Sequence, residues 1–259
     1  MRNSKTLARL RAQEPVRMCA LGHFIPAYIH HAAHFGFDCI WLDLEHRAMT
    51  DREVQSLLTH FHLADIDCML RPATLEKTRL YRYLEDGATG LMMPHVSTPE
   101  KAQQLVNAVK FPPVGDRGLD GAGLDSDFLI SDITAHVDHT LQESFLVVQI
   151  ETPEAVANVE QIAAVEGVDG LFVGPGDLGL RINRLGADFT LEEAIDRVAQ
   201  VAAAAGKAWG LPAGSVEQIE RRREQGAQLL PYGGDLGACM EMLRQHGEQL
   251  AATYGEGNA

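Results

Sequence analysis

The chain has 259 residues, 46% of them hydrophobic and 22% charged, with a formal net charge of -14. Such a length and apolar content can bury one large core, so a single domain over residues 1–259 is expected. The acidity argues against nucleic acid and anionic membranes as partners, since both demand clustered Lys and Arg. No apolar run approaches the roughly 20 residues of a membrane span, and the start MRNSKTLARLRAQEP lacks an apolar stretch of signal-peptide length. A cytoplasmic location is therefore expected.

From the first residues onward, short apolar runs alternate with helical stretches, the pattern of repeated βα units on a parallel sheet. The basic start, free of acid until Glu14, reads as a short helix closing a barrel floor, with a transit peptide as the alternative. Eight strands follow: VRMCALGH from Val16, CIWLDLEH from Cys39, DCMLRP from Asp67, GLMMPHV from Gly90, FLVVQIET from Phe145, GLFVGPGDL from Gly170, KAWGLPAG from Lys207 and QLLPYGGD from Gln228. Each is a continuous apolar run ending in polar residues, which suits strands buried on both faces. Eight such units close a (β/α)8 TIM barrel. Thr98-Pro99-Glu100 and Thr152-Pro153-Glu154 each place a capping hydroxyl, a first-turn proline and an acid before a helical stretch.

The spacing breaks only between residues 110 and 145, where FPPVGDRGLDGAGLDSDFL is rich in Gly, Pro and Asp. Read as the loop after strand four, it is expected to overhang the carboxyl end of the barrel and to set substrate selectivity. The four cysteines, Cys19, Cys39, Cys68 and Cys239, form no CxxC pair and mostly lie in apolar runs, as reduced core residues do. Arg221, Arg222 and Arg223 fall in a helical stretch; a solvated outer face is expected there, a coenzyme A or nucleotide site being the alternative. His30, His31 and His34 share a helix without the further ligands that zinc needs. In YGGDLG after strand eight, Asp235 argues against a phosphate site and for an N-cap of the last helix.

Active sites of such barrels lie at the carboxyl ends of the strands, so the polar residues there are the candidates. Strand two ends in Asp43, Glu45 and His46, strand three in Arg71, strand five in Gln149 and Glu151, and strand six in Asp177. No lysine joins them: of five, only Lys207 belongs to a strand, at the wrong end for a Schiff base, so a metal is expected to stabilise any enolate. Glu151 and Asp177 sit on adjacent strands and can share a cation such as magnesium; equally, they can favour helix N-termini as a first-turn acid and an N-cap. Gln149 points the same way as Glu151. Asp43 can orient His46 as a base, and Arg71 either contacts a substrate oxygen or forms a structural salt bridge to Asp43 or Glu45.

WLDLEH, MLRP, the VQIET run and GVDGLFVGPGDL, in that order on those strands, resemble the metal-dependent hydroxy-keto-acid aldolases of the 2,4-dihydroxyhept-2-ene-1,7-dioate aldolase family. The resemblance covers nearly the whole chain. It implies a divalent cofactor (Mg2+, Mn2+ or Co2+) held by Glu151 and Asp177, and catalytic roles for Asp43, His46 and Arg71. Asp86 matches a further family aspartate near the site mouth, and Arg71, Gln149, Gly176 and Leu211 fall at substrate-binding positions. It also implies trimers or hexamers in which subunits exchange the last helix. The reaction implied is reversible cleavage of 4-hydroxy-2-oxo acids to pyruvate and an aldehyde through a metal-bound pyruvate enolate.

Two departures bear on the aldehyde. Acids stand at Asp120, Asp125 and Asp127 where relatives that hold acidic aldehydes carry basic residues, and Gly176 replaces a residue that is often alanine. A neutral or polyhydroxylated aldehyde is therefore expected. The competing readings are a citryl- or malyl-coenzyme A lyase-like enzyme, which needs a basic pocket, and a non-catalytic barrel that binds a small acid.

Overall fold

The computed structural model describes residues 2–254. Its eight strands are β1 (Val16–Leu21), β2 (Cys39–Asp43), β3 (Asp67–Arg71), β4 (Gly90–Met93), β5 (Phe145–Ile150), β6 (Gly170–Val173), β7 (Ala208–Gly210) and β8 (Leu229–Gly234). All pair in parallel and in chain order, and β8 closes on β1. The helices are α1 (Lys5–Arg11), α2 (Pro26–His34), α3 (Asp51–Leu63), α4 (Lys77–Glu85), α5 (Pro99–Val109), α6 (Ile133–Glu143), α7 (Pro153–Ala157), α8 (Val159–Ala163), α9 (Pro175–Leu185), α10 (Leu191–Ala205), α11 (Val216–Glu224) and α12 (Asp235–Tyr254). This is a (β/α)8 TIM barrel. No described helix is long and apolar enough to cross a membrane.

Side chains alternate across a strand, and the alternation divides the core in two. One set, including Ile40, Leu42, Leu70, Val148, Ile150 and Val173, packs outward under the helices. The other set, including Met18, Cys39, Met69, Met92, Phe145, Val147 and Phe172, fills the barrel, with Trp41 against it and Leu7 of α1 closing the floor. A fully buried side chain of this size contributes about 1.5–3 kcal/mol. The inward parity continues to the carboxyl ends as Asp43, Arg71, Gln149 and Glu151, so the same period that builds the plug aims four polar groups into the mouth above it.

Local signals set the helix starts: Thr98 and Thr152 cap α5 and α7 with Pro in the first turn, and Thr50 and Thr190 form capping boxes on α3 and α10. Three cysteines are buried, and Cys239 is exposed on α12. His30 is held by His60 of α3, Nε2 to Nδ1 at 3.0 Å.

The segment after residue 110 differs from expectation. Helix α5 intervenes after β4 and returns the chain to the amino end, so the segment is an α-to-β connection and does not overhang the mouth. Lys77 pairs with Asp116 at 2.7 Å, and Leu124 lies where a Cβ on Gly87 would meet it at 3.0 Å. Asp125 is spent on Arg117 at 2.8 Å, and Asp127 accepts from Ser131. Within this chain the loop acids therefore give no reason to disfavour an acidic aldehyde.

Candidate active site

The polar groups at the mouth form a closed ring. Arg71, nearly buried, donates from Nε to Asp43 Oδ1 at 2.9 Å, and its Nη2 lies 2.9 Å from Asp43 Oδ2. The pairing is built in by register, because Asp43 and Arg71 are partners on β2 and β3. The guanidinium rests over Trp41, 4.6 Å from the ring centroid, and its Nη1 donates to Gln149 Oε1 at 3.3 Å. Gln149 Nε2 in turn donates to Glu151 Oε2 at 3.2 Å. His95 spans the remaining gap, with Nδ1 2.9 Å from Glu151 Oε1 and Nε2 3.1 Å from Glu45 Oε1. Glu45 closes on Arg71, Oε2 to Nη1 at 2.9 Å, off the axis of a hydrogen bond, so this contact is an ion pair.

Glu151 occupies a cradle that only glycine permits. A Cβ on Gly174 would lie 2.6 Å from its Oε2 and 2.8 Å from its Cβ. The backbone N–H of His95 donates to its Oε1 at 2.6 Å. His95 adopts the left-handed conformation, φ 56°, and Lys101 holds its carbonyl at 2.6 Å. Asp177, 40% exposed, accepts from Arg181 one turn on at 2.6 Å, and Arg181 also donates to the Glu151 carbonyl. Neither acid caps a helix: Thr152 caps α7, and the N-cap of α9 is Gly174 without a side-chain bond.

Burial pushes the Glu151 carboxyl up from the ordinary glutamate value; the His95 amide opposes this, and the charges of Glu45 and Asp177 add to it. Arg71 pairs with Asp43 and Glu45 and Arg181 with Asp177, while the Glu151 carboxylate has no guanidinium partner and meets His95 and Gln149. The donor set therefore fits a divalent cation with hard oxygen ligands. Among the described residues no group of three or more His, Cys, Asp or Glu could hold an ion alone, so an ion on Glu151 and Asp177 needs further ligands from water or substrate.

Other expected residues fall differently. Asp43 does not orient the His46 imidazole: its carboxylate is taken by Arg71 and by the backbone N–H of Glu45, while the half-exposed His46 ring lies 3.6 Å from Glu45. Asp86 is the C-cap of α4, leading into β4 at the amino end, and accepts from Gln55 at 2.8 Å; in this chain it is not at the mouth. Leu211 packs with the outer core cluster, outside the polar ring. A Cβ on Gly176 would meet nothing within 4 Å, so this edge of the mouth is open. Arg221 and Arg222 share Glu192, which leaves no basic pocket of theirs for a coenzyme. The sequence reading passed over His95 and Lys101; for His95 the signal was present, since it too ends a strand run, GLMMPHV.

Residues 18–241 match the sequence profile of the HpcH/HpaI aldolase/citrate lyase family. The chain belongs to this family. A hydroxypyruvate/pyruvate aldolase of Pseudomonas aeruginosa is 32% identical over 243 residues, 92% of this chain and 89% of that protein. A 4-hydroxy-2-oxo-heptane-1,7-dioate aldolase of Shigella sonnei is 31% identical over 229 residues, 85% of this chain and 83% of the relative. The crystal structure of an HpcH/HpaI aldolase from Desulfitobacterium hafniense superposes with a TM-score of 0.87 at 28% identity, covering 97% of this chain and 98% of the other. Members named as aldolases are carbon–carbon lyases.

Proposed function

We propose that the protein is a divalent-metal-dependent aldolase that reversibly cleaves 4-hydroxy-2-oxo acids to pyruvate and an aldehyde. The observation that carries this reading is the buried carboxylate Glu151, which lies near the charges of Glu45 and Asp177 and has no guanidinium partner. A cation (Mg2+, Mn2+ or Co2+) on Glu151 and Asp177 would supply Lewis-acid polarisation of the keto group. Arg71, fixed by Asp43 and Glu45, offers guanidinium N–H groups to the oxygen on which negative charge develops. Gln149 ties that arginine to Glu151 and keeps both in register. His46, half exposed beside Glu45, takes the proton of the C4 hydroxyl in the cleavage direction. Gly176 leaves room for substrate beside Asp177.

The subunit arrangement proposed is a trimer or hexamer built by exchange of the last helix. Its support is α12: none of its 20 residues is buried, and Leu236, Met240, Leu243 and Leu250 are exposed along it.

The test is proton exchange. Pyruvate in heavy water is followed by NMR with the purified protein, with and without chelator. Metal-dependent loss of the methyl signal is expected, and its abolition in Glu151→Ala and Asp177→Ala. Chelator-insensitive exchange removes the metal mechanism.

A further inference from the structure

A second hydrogen-bonded pair stands at the mouth, on the arc opposite Glu151, and the proposed chemistry does not use it. Asp235, at the end of β8, is almost buried and accepts from two groups at the end of β1: the Gly22 N–H on Oδ1 at 3.1 Å, and His23 Nδ1 on Oδ2 at 2.7 Å. Asp235 thus ties the β1 and β8 ends together instead of capping its own helix with its side chain. A carboxylate oxygen accepts, so the pair selects the Nδ1–H tautomer of His23, in which Nε2 holds the lone pair. The His23 side chain is half exposed. It differs in this from His95, whose two nitrogens both face carboxylates. Arg47 runs beside Gly22, where a Cβ would meet its Nε at 2.9 Å, and its Nη1 donates to the His46 carbonyl. An oriented acceptor and an arginine donor therefore adjoin on one arc.

In the closed order, β1 lies four strands from β5, which leads to Glu151. The β1–β2 arc therefore faces Glu151 across the mouth. We infer that His23, positioned by Asp235 and flanked by Arg47, binds the aldehyde-derived end of the substrate through its hydroxyl groups and selects hydroxylated over apolar aldehydes. A hydroxyl donates to Nε2 and accepts from Arg47; an alkyl group of the same shape leaves both unpaired, the asymmetry by which polar sites discriminate most strongly.

This inference rests on the aldolase reading, and one set of measurements separates the two. Aldol addition of pyruvate to glyceraldehyde and to its hydrocarbon isostere 2-methylbutanal is assayed, together with methyl-proton exchange of pyruvate alone, in wild type, His23→Phe, His23→Gln and Asp235→Asn. The ratio of kcat/KM for glyceraldehyde over the isostere is expected to fall at least tenfold in His23→Phe, mainly through the KM for glyceraldehyde. It recovers in part in His23→Gln, whose amide oxygen still accepts, and falls less in Asp235→Asn. Exchange with pyruvate alone drops far less than addition to glyceraldehyde. Normal exchange with an unchanged ratio in His23→Phe overturns the inference and leaves the aldolase reading standing. Absence of exchange in wild type with every divalent cation overturns both.

Discussion

The two ends of the barrel treat carboxylates in opposite ways. At the amino end, Asp38, Asp67 and Asp169 precede or open β2, β3 and β6, and each has its own donors. Asp38 is bracketed by Arg17, Asp67 accepts from Ser4 Oγ at 2.8 Å and the Thr6 N–H at 2.7 Å, and Asp169 accepts from Lys110 and the Leu146 N–H. At the carboxyl end, Asp43, Glu45 and Asp177 share two guanidiniums, and Glu151 is buried beside like charges with no guanidinium on its carboxylate. Complete pairing marks a structural end; a deficit of positive charge marks an end organised around something that binds.

The sharpest way to break this comparison is to neutralise one carboxylate at each end. In Glu151→Gln, exchange of pyruvate protons is expected to fall at least about 100-fold, while the melting temperature without metal does not drop, since a like-charge conflict is relieved. In Asp67→Ala, the order is reversed: about 3–5 kcal/mol of stability is lost in denaturant unfolding, because Ser4, Thr6 and Arg2 lose their acceptor, and the folded fraction still exchanges. Gly174→Ala tests the cradle. The added methyl displaces Glu151 at a cost of about 1–3 kcal/mol, and a roughly tenfold weaker Mn2+ affinity in calorimetry is expected.

The smallest effect concerns pH and the connection beside the amino end. Burial holds the fully buried His136 imidazole below its ordinary 6.5, against the pull of Asp125. A lowered folded pKa favours the neutral ring, so this contribution is complete above 6.5 and is lost as the pH falls through the folded value. Unfolding free energy is therefore expected to decline on acidification below 6.5, and the decline to be shallower in His136→Leu.

Much of the fold was legible because continuous apolar runs, bounded by polar residues, report strands buried on both faces, and all eight lie where such runs occur. Asp43, Arg71, Gln149 and Glu151 were legible as strand-end residues for the same reason. The Arg71 salt bridge to Asp43 and Glu45 was legible as one of two alternatives, and the β2–β3 register helps make it. Other partners were not. His23 meets Asp235 across a separation of 212 residues because the barrel closes. The 110–132 segment was misplaced because it was read as the loop of strand four, although the helix signalled at Thr98 intervenes and carries the chain to the other end.

The most direct measurement of the central claim is Mn2+ binding to the metal-stripped protein, followed by electron paramagnetic resonance. One ion per chain is predicted, lost in both Glu151→Gln and Asp177→Asn and unaffected by Asp67→Asn at the opposite end. Binding that survives both substitutions at the mouth, or is lost only with the amino-end variant, would contradict the account.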